Sequence, residues 1–100
     1  MKHAHTVSQY PGTHEQLAED IGNLYYDALA EFLRLFSDKL ARDAIADHGR
    51  GRPKLANELD AGAQHLAAAA QHIESAWRIC KPYVSTSAQI GSEHIGGENS

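Results

Sequence analysis

The 100-residue sequence predicts an all-α fold, a long antiparallel helical hairpin. Three observations predict it. Two long stretches, about 13–47 and 53–81, carry almost no helix-breaking residue. A short segment, His48-Gly49-Arg50-Gly51-Arg52, separates them. Apolar residues in the second stretch recur at spacings of three and four, the period of a helix face.

Each element follows from its residues. Residues 1–12 are polar, end in the turn signal Tyr10-Pro11-Gly12, and read as a flexible N-terminal segment. Thr13 has the character of an N-cap, and Gln16 three residues later completes a capping box. Glu15, Glu19 and Asp20 put negative charge at the positive end of the helix dipole. From Thr13 to Asp47 the spacing predicts one continuous helix. Gly49 is the expected left-handed residue after it, since glycine has no Cβ to clash. Pro53 suits the first turn of the second helix, where its missing N–H is not needed. Pro82 is expected to stop that helix after Lys81. Together these elements make residues 13–82 a hairpin domain, and residues 83–100 read as a mobile C-terminal tail.

In the second helix Leu55, Leu59, Gly62, Leu66, Ala69, Ile73, Ala76 and Cys80 form a heptad seam of coiled-coil type. Half of its positions are small. The first helix differs, with Leu24, Leu29, Phe32, Leu33, Leu35 and Phe36 spread around most of its circumference. Folding the chain at the loop pairs positions whose numbers sum to about 100. Leu35 and Phe36 are then expected opposite Gly62 and Ala63, and Phe32 opposite Leu66 and Ala69. Close packing is the expected reason for Gly62, which costs about 1 kcal/mol of helix propensity relative to Ala. Trp77, Tyr83, Tyr25 and Tyr26 are expected to cluster at the far end.

Two helices share only one face, and a seam half made of small residues is a thin core. Leaving the first helix's large side chains half in water would create an aggregation-prone patch. The sequence therefore predicts a homodimer forming a four-helix bundle. Leu24, Leu29, Phe32, Leu33, Phe36, Leu66, Ile73 and Trp77 are its expected dimer and core contacts. Docking of this face on a different protein is the runner-up.

Composition narrows the function classes. Nine Lys and Arg stand against thirteen Asp and Glu, for a net charge of −4. That balance disfavours a general nucleic-acid binder. The chain is 42% apolar, yet no uninterrupted run approaches the ~18 residues of a membrane span. The N-terminus lacks the apolar core of a secretory signal. A single cysteine, Cys80, precludes an internal disulfide framework. A cytoplasmic protein with no membrane association is the expectation.

Candidate sites are few. Arg50-Gly51-Arg52-Pro53-Lys54 resembles the core of an AT-hook, a segment that lies in the minor groove of A·T-rich DNA. Gly49 replaces the usual preceding proline, and the flanks are helical. The simpler reading is a helix connection, with Arg50, Arg52 and Lys54 kept as alternative nucleic-acid contacts. Seven histidines invite a metal reading. His65 and His72 are one heptad apart, about 10 Å along the helix, which is too far to share one ion. No Glu-x-x-His occurs, and His3 and His5 lie in the N-terminal segment. A phosphotransfer role for His72 or His65 is disfavoured by Glu74 nearby, which would repel a phosphoryl group. Asp27 and Glu31 share a helix face but have no companion base or nucleophile, and read as solvated surface or as partners for Arg34 and neighbouring bases. Cys80 falls on the seam near a helix C-terminus, where the dipole disfavours a thiolate. No enzyme, no cofactor and no metal is expected.

The runs Ile21-Gly22-Asn23-Leu24-Tyr25-Tyr26-Asp27-Ala28-Leu29, Arg50-Gly51-Arg52-Pro53-Lys54-Leu55-Ala56 and Ala70-Gln71-His72-Ile73-Glu74-Ser75-Ala76-Trp77 resemble a group of small uncharacterised helical proteins of cyanobacteria. The resemblance covers about residues 15–83. It implies a bacterial cytosolic protein and brings no activity or functional residue with it.

Overall fold

The computed structural model describes residues 3–87, and side chains to residue 84. Three α-helices run in order: α1 (His14–Gly22), α2 (Tyr26–Gly49) and α3 (Pro53–Ser87). No strand occurs among the described residues. None of these helices is long and apolar enough to cross a membrane.

α1 begins as its sequence directs. The Gln16 N–H donates to Thr13 Oγ1 at 3.1 Å, and the Thr13 N–H donates to Gln16 Oε1 at 2.8 Å. This capping box satisfies two donors that the first turn leaves open. The expected single helix over 13–47 is corrected, because the chain breaks at Asn23-Leu24-Tyr25. Asn23 adopts φ −89°, ψ 2° and Tyr25 an extended φ −54°, ψ 149°. Gly22 and Asn23 are both poor helix formers, together costing on the order of 1–2 kcal/mol relative to alanine. α1 buries no residue, so tertiary packing does not offset that deficit.

α2 ends in a Schellman motif. The Gly51 N–H donates to the His48 carbonyl at 3.1 Å, and the Arg52 N–H to the Asp47 carbonyl at 2.9 Å. This arrangement satisfies carbonyls that the helix end leaves unpaired. Gly51 has φ +76°, a conformation open to glycine and costly to residues with a Cβ. The expected role of Gly49 is therefore corrected. Gly49 is the last helical residue, and the left-handed position falls two residues later. α3 starts at Pro53 as expected, but it does not stop at Lys81. It continues through Pro82 to Ser87, so the start of the expected tail is helical, and the rest of that expectation, 88–100, lies outside the described residues. The proline ring's φ is itself helical. Pro82 has no N–H to donate and its ring crowds the preceding turn, yet the helix runs on to Ser87.

α2 and α3 pack antiparallel, and the seam between them is made of small residues. Ala30, Ser37 and Ala44 on α2 lie one heptad apart and are buried. Ala56, Ala63 and Ala70 do the same on α3, and Cys80 is buried beyond them. The expected line through Leu55, Gly62, Ala69 and Ala76 is thus one residue out of phase. Leu55 is 45% exposed. Leu59, Leu66 and Ile73 sit half-buried beside the alanine line. Alanine lets two helix axes approach closely, since no long side chain separates them. Larger residues are excluded from the central line for the same reason.

The expected pairing register holds, with Ser37 meeting Ala63 and Tyr25 stacking near Trp77, ring centroids 6.1 Å apart. Two of its assignments do not. Leu35 is 60% exposed and Phe36 43%, because the closest approach to α3 falls to Ser37. A Cβ built on Gly62 would lie 3.7 Å from Leu40 Cδ1, an ordinary contact. Packing within the hairpin therefore does not require glycine there.

Candidate interaction surface

The heptad geometry gives the hairpin two unlike flanks. Relative to the buried lines, Arg34 on α2 and Glu74 on α3 occupy equivalent positions on one flank. They meet there in a two-pronged ion pair, Arg34 Nε to Glu74 Oε2 at 2.7 Å and Nη2 to Oε1 at 2.8 Å. The hydrogen bond from Arg34 holds the Glu74 carboxyl below its usual range, and the same bond raises the Arg34 guanidinium. Of the two readings for Asp27 and Glu31, solvated surface fits and pairing with Arg34 does not, since both acids are exposed and Arg34 pairs with Glu74. The Asp27 carboxylate instead accepts from the Ala28 N–H at 2.8 Å, at the start of α2.

The other flank is apolar. On α2 it carries Leu29, Phe32, Leu33, Phe36 and Leu40. The rings of Phe32 and Phe36 lie 6.0 Å apart, and both remain more than a third exposed. On α3 it carries Leu55, Gly62, Ala69 and Ala76, next to half-buried Leu66 and Ile73. The contact between Gly62 and Leu40 fixes both stripes on this same side. Leu24, 39% exposed, stands in the break before α2. Trp77 is half-buried against Tyr25. Toward the loop the α2 stripe ends in an ion pair, Lys39 Nζ to Asp43 Oδ2 at 2.7 Å. The hydrogen bond from Lys39 holds the Asp43 carboxyl below its usual value.

The loop arginines converge on one buried acid. Arg50 Nη1 donates to Asp47 Oδ1 at 3.0 Å, and Arg52 Nη1 donates to the same oxygen at 3.3 Å. Asp47 is 7% exposed. An acid in the last turn of a helix opposes the dipole, and that anomaly was the available sequence signal for a local cationic partner. Lys54 is exposed in the first turn of α3.

The remaining candidates stand apart. His65 and His72 are exposed on the outer surface of α3, and His3 and His5 are exposed in the N-terminal segment. Among the described residues no three His, Cys, Asp or Glu side chains are grouped to hold a metal ion. Cys80 is a free, buried thiol. Tyr10 donates to the Asp20 carboxylate and ties the N-terminal segment to α1. That hydrogen bond raises the Tyr10 hydroxyl above its usual value.

Comparison with protein-family models, with curated proteins and with solved structures finds no match.

Proposed function

We propose that the protein is a non-enzymatic structural or protein-interaction module that acts as a homodimeric four-helix bundle. The bacterial, cytoplasmic setting implied by its cyanobacterial resemblance belongs to the same proposal. The observation that carries it is the contrast between the two flanks, one with Arg34 and Glu74 and the other with Phe32, Phe36 and Leu29. A hairpin is one layer of helices, and stable domains bury an apolar face against a second layer. Sedimentation at micromolar concentration should give twice the 10.9 kDa chain mass. A monomer there rejects the dimer and leaves a different protein as the occupant.

The alternative, a small DNA-associated protein using Arg50, Arg52 and Lys54, has less support. Asp47 engages both arginines and offsets their charge. A gel shift on A·T-rich duplex at two salt concentrations tests it. Salt-sensitive binding that disappears in the Arg50→Ala, Arg52→Ala variant would establish the DNA reading.

A further inference from the structure

We infer that the occupant of the apolar flank is a second copy docked in the same sense. α2 of each copy then lies against α3 of the other, and both Arg50-Gly51-Arg52 loops emerge at one end. This rests on the homodimer reading above and goes beyond it by fixing the arrangement.

The apolar flank is self-complementary. The flank joins a bulky stripe on α2 (Leu29, Phe32, Phe36) to a small stripe on α3 (Gly62, Ala69, Ala76). Within the hairpin, residues at one height have numbers summing to about 100, as Ser37 with Ala63 shows. A two-fold axis parallel to the helices preserves height and exchanges left for right. It therefore brings Phe32 opposite Ala69 of the second copy, and Phe36 opposite Gly62 and Leu66. Large meets small along the interface, the condition for close helix packing. An axis perpendicular to the helices would stack the phenylalanine stripes on each other. It would also set the small stripes face to face across a gap, which loses dispersion contacts.

The size is adequate. α2 has 24 residues, about 36 Å at 1.5 Å each. Two helices side by side span about 19 Å. The flank is then about 700 Å², close to the ~800 Å² that each partner gives to a standard interface. The arrangement also supplies a reason for Gly62 that the hairpin lacks, since its missing side chain admits the second copy's α2.

Distance measurement between paired spin labels tests the arrangement. One label per chain is placed at His48→Cys, or independently at Lys81→Cys at the other end, in a Cys80→Ala background. Both sites are exposed. Same-sense docking gives label pairs within about 30 Å at either site, given interaxial spacings of 8–10 Å. Opposed docking separates each pair by about a helix length or more, and that result overturns the inference while leaving the dimer intact. A monomeric labelled chain that matches a monomeric wild type overturns the dimer reading itself. As a label-free check, Gly62→Leu with Ala69→Leu fills the small stripe. Same-sense docking predicts dissociation made at least about tenfold easier by overpacking. Unchanged or tighter association, as expected from filling a gap, counts against it.

Discussion

The Ser37 hydroxyl donates a 2.7 Å hydrogen bond to the Ala63 carbonyl oxygen in the buried line between α2 and α3. A serine side chain reaches the backbone of the neighbouring helix only when the two axes are close. Ala30, Ala44, Ala56 and Ala70 make that approach possible. Ser37→Ala keeps the space and removes the bond, and should cost about 1 kcal/mol or less of unfolding free energy. Ser37→Leu should cost about 1–3 kcal/mol, because it forces the helices apart. Urea denaturation of the three proteins gives the order directly. A leucine variant as stable as wild type would refute the close-packed line.

Asp47 should behave as the anchor of the loop. Asp47→Asn removes the charge that both Arg50 and Arg52 approach, at nearly constant volume. About 1 kcal/mol should be lost, reduced from the value of a fully buried charged bond because both arginines are about half exposed. A double-mutant cycle with Arg50→Ala isolates the coupling. Zero coupling would mean that the pair only shares space.

The loop glycines should respond with opposite signs. Gly51→Ala places a Cβ at φ +76° and should destabilise by about 1–2 kcal/mol. Gly49→Ala lies in the helix with no neighbour within 4 Å of the added Cβ. It should stabilise by a few tenths to about 1 kcal/mol. Thermal melts of the two single variants decide whether the left-handed position is Gly51.

Acid should weaken the hairpin partly through Glu74. Its folded carboxyl lies below the usual 4.5, through its hydrogen bond with Arg34. A depressed carboxyl contributes stability above its unfolded value and loses it as pH falls through the folded one. Stability should therefore decline as pH drops below 4.5, and Glu74→Gln should flatten the slope without abolishing it. Asp43, lowered by Lys39, supplies a remainder of the same sign. An unchanged slope in Glu74→Gln would show that the ion pair contributes nothing to folding.

Features that depend on neighbours a few residues apart were legible in the sequence. The Thr13–Gln16 capping box, the start of α3 at Pro53 and a glycine turn near residue 50 are local geometry, though not the choice of Gly51 over Gly49 as its left-handed residue. The sum-to-100 register also follows, because a tight loop fixes which heights meet. The sequence did not determine the break at Asn23, since weak helix formers such as Gly22 and Asn23 are overridden or obeyed according to packing, and α1 buries nothing. It did not determine the fate of Pro82, because proline disfavours an interior helix position without forbidding it. Least legible was the phase of the seam. Leucine at 55 and alanine at 56 both fit a heptad, and hydrophobicity favours the leucine. Packing of α2 on α3 selects Ala56, Ala63 and Ala70, because the helices come closest where the side chains are smallest. Leu29, Phe32, Leu33, Phe36 and Leu40 are thereby displaced to one flank, and that flank became the candidate site.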